Sequence, residues 1–295
     1  MARLLARVFF VLALACGEVP IPEPVPPVEP TLPPDDELLT ARPFQVKEPT
    51  GYDGGTALPL LVALHGYGRS GTALDEQFAL SRFAESRDVL LVLPNALHDA
   101  RGNRSWRPAS EPKFPFDREY LRAVIQSVKA RYAVDPARVF VFGYSQGGHM
   151  AHRMGCDAAD QVVAFVSLAG QAATQPGECL PARSISALQV HGTDDEAIGY
   201  DGDAIPPVDP RIPSAHQTIA VWGRHNGCGA LVPTARTLDL SLSVAGDETT
   251  VERYAGCPPG IDVELWTMHD VQHWPFPSPN FMSLLYGFLA EHARP

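Results

Sequence analysis

Short apolar runs recur along the chain, each closing on a glycine, a proline or a polar loop. They fall at 58–64 (LPLLVAL), 89–93, 138–143, 162–168, 185–190 and 263–268. The runs 58–64 and 89–93 are continuously apolar, the pattern of strands covered on both faces of a parallel sheet, and the others are strand-like. Helix-compatible stretches lie between them: 73–85, 117–132, the segment after residue 145, 214–226 and about 278–293. In 117–132 the apolar residues Leu121, Val124, Ile125, Val128 and Tyr132 follow the spacing of one helix face. This alternation predicts an α/β fold. Its sheet is doubly wound and mainly parallel, flanked by helices without a large cap domain, and its functional residues gather at the carboxyl ends of the strands. No internal repeat is visible, and nothing divides 41–295 into two domains.

The amino terminus reads differently. Arg3 and Arg7 precede the apolar run 8–15, which is too short to span a bilayer and fits a secretory signal over 1–15. The sequence Ala13-Leu14-Ala15-Cys16-Gly17 resembles a bacterial lipoprotein signal, in which the cysteine carries the lipid. The other reading is a plain secretory signal with a leftover cysteine. Cys16 is thus the expected lipidation site, which places the protein in the cell envelope or outside the cell, anchored to the outer leaflet. Pro20, Pro22, Pro24, Pro26, Pro27, Pro30, Pro33 and Pro34 favour extended polyproline II and predict a stiff tether over 16–40. The folded domain is expected over 41–295. With 295 residues, 45% of them apolar, the chain can bury one large core. A formal charge of -11 argues against a nucleic-acid partner, which would need clustered Lys and Arg.

The candidate chemistry starts at RVFVFGYSQGGHMAHRM, residues 138–154, which reads as strand, sharp turn and helix around Gly143-Tyr144-Ser145-Gln146-Gly147. A serine at such a turn stands above the sheet edge, and the glycines are needed because a Cβ there would meet the neighbouring strand and helix. Ser145 is the candidate nucleophile; the bland reading is a glycine-rich turn with an idle serine. The run 185–190 ends in His191-Gly192-Thr193-Asp194-Asp195, where Asp195, with Asp194 as the fallback, is placed to orient a histidine. The last run ends in His269-Asp270-Val271-Gln272-His273-Trp274-Pro275, where His273 is the candidate base and His269 its rival. Ser, Asp and His in that chain order match the triad of hydrolases built on this plan. The loop His65-Gly66-Tyr67-Gly68 would supply one oxyanion donor from Tyr67, and Gln146 the other. His65 is read as ordering that loop. Trp106 either walls the pocket or packs on its loop, and it is grouped with Tyr144 as substrate-contacting. His149 and His152 stand i, i+3 on a helix without a third ligand nearby, so neither a metal nor a cofactor is expected.

These pieces resemble the polyhydroxybutyrate depolymerase and feruloyl esterase group of secreted α/β hydrolases. The matching stretches are LHGYG at 64–68, VDPARVFVFGYSQGGHMAHRMGC at 134–156, HGTDD with Tyr200 downstream, and WGRHNGC at 222–228. The resemblance covers about 59–289. It implies an α/β-hydrolase fold and an exported serine esterase acting on feruloyl or acetyl esters of polysaccharide, or on short polyhydroxyalkanoates. It also places the acid on Asp195, the last Asp of an HGTxD pattern. The group's histidine usually stands in GGGHxWP; VQHWP here lacks the glycines and the residue between His and Trp. Cys156, Cys179, Cys228 and Cys257 form an even set, for which disulfides are the default in an exported chain and three pairings are possible. The resemblance and sequence proximity favour Cys156 with Cys179 and Cys228 with Cys257, each closing a loop near the site. A peptidase or amidase on the same triad and a non-catalytic binder of this fold are the competing readings. The loop 196–213 carries Pro206, Pro207, Pro210 and Pro213, which forbid a continuous amphipathic lid, so an open site is expected.

Overall fold

Six of the strands run parallel in a nine-stranded sheet, and their order explains where the site falls. In this computed structural model residues 35–107, 116–172, 179–202 and 213–293 are described. The strands are β1 (Gln45–Lys47), β2 (Leu58–Leu64), β3 (Leu90–Leu93), β4 (Val134–Tyr144), β5 (Ala164–Leu168), β6 (Ser186–Gly192), β7 (Leu231–Leu238), β8 (Thr249–Tyr254) and β9 (Val263–Met268). Their order across the sheet is β1-β3-β2-β4-β5-β6-β9-β8-β7. All pairings from β3 to β9 are parallel, while β1, β8 and β7 add antiparallel edges. The parallel strands are the apolar and strand-like runs of the sequence, with β6 and β9 carrying polar residues within them. The edge strands escape that pattern because β7 is mostly exposed and β1 has only three residues.

The helices are α1 (Asp35–Ala41), α2 (Gly71–Phe78), α3 (Leu80–Ser86), α4 (Phe116–Arg131), α5 (Gln146–Asp157), α6 (Ala215–His225) and α7 (Phe281–Glu291). Alternate strand residues face opposite layers. Leu60, Val62 and Leu64 pack with α4, α5 and α6, whereas Leu61 and Ala63 pack with α2, α3 and α7. The sheet is therefore covered on both faces. The helix expected at 73–85 is two helices, because Ala79 takes a left-handed φ of 51 between them.

One boundary needs correction. The tether expected over 16–40 overlaps α1, which begins at Asp35 and packs on α4, burying Leu38. The acidic start of α1 follows directly on Pro33 and Pro34, where a proline-rich reading stops applying. No boundary divides the described residues from 35 onward. The signal at 1–15, the anchor Cys16, the prolines up to Pro34, and Pro206, Pro207 and Pro210 of the 196–213 loop lie outside the described residues.

Both cysteine pairs implied by the resemblance form disulfides, Cys156–Cys179 and Cys228–Cys257. Only their placement differs from expectation. Cys156 lies eleven residues along α5 from Ser145, about 16 Å at the helical rise, so that bridge ties the far end of the helix rather than the site. Cys228–Cys257 joins the end of α6 to the turn after β8, at the antiparallel edge.

Candidate active site

The site is built at the carboxyl ends of β4, β6 and β9. Ser145 occupies the turn between β4 and α5 at φ 56 and ψ −121, a backbone conformation that L-residues avoid. Two glycines permit it. A Cβ on Gly143 would stand 2.0 Å from the Gly147 carbonyl oxygen, and one on Gly147 would stand 2.0 Å from the Leu64 carbonyl oxygen of β2. The turn is so tight that helix and neighbouring strand fill the space any side chain would need.

Ser145 Oγ donates to Nε2 of His273 at 3.0 Å, and Nδ1 of His273 donates to Oδ2 of Asp195 at 2.7 Å. Residues far apart in sequence thus meet in one hydrogen-bonded line. Asp195 has a fully buried carboxylate whose Oδ1 also accepts from the backbone N–H of Ala197 at 2.9 Å and of Ile198 at 2.7 Å. Burial opposes its charge, but the hydrogen bonds from His191, His273 and the Ile198 N–H outweigh burial and hold the carboxyl well below its usual range. Asp195 therefore stays ionised.

The rivals fall away on geometry. His269 is turned to an exposed edge, where its Nε2 pairs with Thr250 Oγ1 at 2.9 Å. Asp194 is exposed, and its carboxylate accepts from the neighbouring Thr193 hydroxyl at 3.5 Å. His149 pairs through Nδ1 with the Gln171 N–H at 2.9 Å, and His152 is buried between Trp222 and Gln189. No cluster of three or more metal-ligating side chains occurs among the described residues.

Tyr67 and Gln146 both adjoin Ser145. A Cβ on Gly66 would lie 3.3 Å from Ser145 Cβ, which brings the 65–68 loop against Ser145. The Ser145 N–H is committed to the Leu168 carbonyl at 2.8 Å, so the next amide in the turn, that of Gln146, is the one at hand. The Gln146 side chain holds the facing loop by accepting from the Trp106 N–H at 2.8 Å and donating to Ser105 Oγ at 2.9 Å. His65 orders its loop as expected: Nε2 accepts from the Ala96 N–H at 3.1 Å and Nδ1 donates to the Gly66 carbonyl at 2.8 Å. Burial pushes its imidazole down to about 4, so it stays neutral.

The substrate-contacting assignment of Trp106 is corrected. Its side chain is only 1% exposed and gives its indole N–H to the His65 carbonyl at 2.8 Å, so it supports the loop from behind. Tyr144 does face the site, its ring centroid 5.3 Å from that of His273 and its hydroxyl donating to the His273 carbonyl at 3.2 Å. Burial pushes its phenol up, which keeps that donor protonated. A cavity of about 390 Å³ opens on Ser145 and His273, lined also by Gly66, Tyr67, Tyr144 and three residues not foreseen: Arg69, Gln77 and Trp274. Trp274 follows His273 and was visible as a motif residue. Arg69 and Gln77 come from the loop and helix after β2, and no local pattern marked them.

The family described as the alpha/beta hydrolase fold matches residues 103–201, which include Ser145 and Asp195. Feruloyl esterase B of Piromyces equi is 26% identical over 234 residues, covering 77% of this chain and 42% of that protein. Feruloyl esterase D of Neurospora crassa is 23% identical over 247 residues, covering 80% and 74%. The chain thus spans less than half the length of the Piromyces enzyme. Among solved structures, an acetyl xylan esterase from Aspergillus awamori superposes with a TM-score of 0.59 at 11% identity over 84% of this chain and 93% of that one. The esterase PE8 superposes with a TM-score of 0.53 at 20% identity over 84% and 99%. At such identities the superpositions speak to fold alone. With the strand order and the turn at Ser145, they show that the chain has the alpha/beta hydrolase fold.

Proposed function

We propose that the protein is an exported serine esterase that hydrolyses carboxylic esters, with feruloyl or acetyl groups on polysaccharide, or short polyhydroxyalkanoates, as its substrates. The observation that carries this reading is the line from Ser145 through His273 to Asp195, with contacts of 3.0 and 2.7 Å and the serine on a strained turn. Ser145 Oγ attacks the acyl carbon while His273 Nε2 takes its proton. The carbonyl oxygen becomes an oxyanion held by the Tyr67 and Gln146 N–H groups. Collapse breaks the ester bond, and His273 returns the proton to the departing alcohol. Water then repeats the sequence on the acyl-serine, releasing acid and restoring Ser145. Asp195 holds the imidazole with its proton on Nδ1 and stabilises the cation that forms in each half.

The names of the Piromyces and Aspergillus proteins support ester chemistry of this kind. The size of the cavity, about 390 Å³, and its aromatic walls Tyr144 and Trp274 suit a compact acyl group. Export is supported by the two disulfides and by the leader at 1–15, and attachment to the outer leaflet by Cys16 in its lipoprotein-like setting.

The test is a panel of nitrophenyl esters from two to sixteen carbons, a feruloyl ester and its matched amide, run with wild type and variants. Acetyl to butyryl and feruloyl esters should lead. Ser145→Ala and His273→Ala should lower kcat by about a millionfold, as loss of either group does in comparable triads, while His269→Ala stays within a few-fold. An active Ser145→Ala would reject the reading. A maximum at twelve carbons or beyond would make the enzyme a lipase, and faster cleavage of the amide would make it a peptidase.

A further inference from the structure

A line of buried polar side chains runs behind Asp195, on the side away from the serine. Trp222 of α6 gives its indole N–H to Nδ1 of His152 on α5 at 2.8 Å, and His152 Nε2 lies 2.9 Å from Gln189 Oε1 on β6. Gln189 Nε2 lies 2.8 Å from the Gly170 carbonyl and 3.1 Å from His191 Nδ1. His191 Nε2 in turn lies 2.8 Å from the Ile198 carbonyl and 3.2 Å from Asp195 Oδ2. Trp222, Gln189 and His191 have no solvent exposure and His152 has 2%. Water therefore does not compete for these groups.

The direction of every hydrogen bond in this line is fixed by chemistry at two points. An indole N–H only donates, so His152 Nδ1 accepts and its proton sits on Nε2. A backbone carbonyl only accepts, so the Gln189 atom facing Gly170 is the amide nitrogen and its oxygen receives the His152 proton. The other amide hydrogen then points at His191 Nδ1, which must accept. The single ring proton of His191 is left on Nε2, shared between the Ile198 carbonyl and Asp195. The opposite tautomer would set a bare nitrogen against two acceptors in a dry site.

We propose that His191 is a positioning residue for Asp195, locked as the Nε2-protonated tautomer by the donor line that starts at Trp222. The inference rests on the triad reading above. Asp195 Oδ1 takes the N–H groups of Ala197 and Ile198, while Oδ2 takes those of His273 and His191. A carboxylate filled on both oxygens does not rotate away from His273 when the imidazole gains and loses its proton. His191 also ties the 195–198 turn from within, through the Ile198 carbonyl. The support is thus prepaid by folding and independent of substrate.

The experiment compares His191→Met with His191→Gln. Methionine keeps a weak acceptor toward Gln189 but has no donor for Asp195, whereas the glutamine amide can donate at the place of Nε2. His191→Met should lower kcat about tenfold with KM unchanged, the worth of one shared charge-assisted hydrogen bond, and His191→Gln should restore most of the rate. Nitrogen NMR of histidine-labelled wild type should show the protons of His152 and His191 on Nε2 and that of His273 on Nδ1, a readout that holds even if a variant fails to fold. A folded His191→Met with wild-type kcat overturns the inference. So does a glutamine variant as slow as the methionine one, or a His191 proton on Nδ1. An inactive Ser145→Ala beside an unaffected His191→Met would sink this inference and leave the triad standing; an active Ser145→Ala would sink both.

Discussion

Ser145 sits at φ 56 and ψ −121, a conformation that costs an L-residue on the order of 1 to 3 kcal/mol and that only the packing around Gly143 and Gly147 enforces. Glycine adopts such backbones without that cost. Ser145→Gly should therefore abolish activity and at the same time stabilise the fold by about 1 kcal/mol, raising Tm by about 2 to 4 °C. Thermal melts beside Ser145→Ala give the check, since alanine removes the hydroxyl but keeps the strain; equal Tm values for the two would mean that the turn stores none. The same tightness gives Ser145 its exposure. A relaxed turn would lay the serine along the sheet edge, out of reach of His273.

At the scale of elements, the amino-terminal helix shows how a segment outside the sheet can hold it. Leu38 of α1 is buried, and Arg42 just beyond it forms an ion pair with Asp117 of α4 at 2.7 Å, its guanidinium 3.8 Å from the Tyr120 ring centroid. Both charged groups are withdrawn from water, so deleting one strands the other, at a cost of about 3 to 5 kcal/mol. Arg42 also donates to the Asn95 carbonyl at 3.0 Å, close to the Ala96 amide that His65 receives. A chain of 35–295 should melt with full-length protein, whereas 43–295 should melt about 10 °C lower or fail to fold. Equal melting of the two truncations would show that α1 is dispensable and that the domain begins after Arg42.

Across the whole molecule, two neutral histidines lock loops and helices together. Burial pushes His65 down to about 4 and His152 down to about 3, and each ring also accepts a hydrogen bond that protonation would break. The ordinary value for both is 6.5. Between there and about 4 the unfolded chain binds more protons than the folded one, so stability falls as pH falls through that window. Asp195, whose carboxyl is also held below its ordinary value, loses stability in the same sense but only below 3.8, beneath that window. The two rings together should cost several kcal/mol at pH 4.5 relative to pH 7.5, lowering Tm by about 10 °C. A Tm that is flat or rises on acidification contradicts this account.

The parallel strands, the helices on either side and Ser145 were all legible in the sequence, because each depends on local pattern. Continuous apolar runs report burial on two faces, and two glycines around a serine report a turn that tolerates no Cβ. The antiparallel edges β1, β7 and β8 were not legible, since an exposed or very short strand is defined by its partner rather than by its own residues. The choice of His273 over His269, and of Asp195 over Asp194, could be ordered by motif but depended on where loops from β6 and β9 converge. Trp106 and Arg69 were placed by tertiary contacts for the same reason: the indole expected at the pocket wall found a carbonyl behind the loop, and an arginine with no expected role reached the cavity wall from the loop before α2. The sequence by itself determined which residues could do chemistry and the strand ends that present them. Tertiary structure decided which of those residues face one another, because contacts between loops depend on how strands far apart in the chain lie side by side.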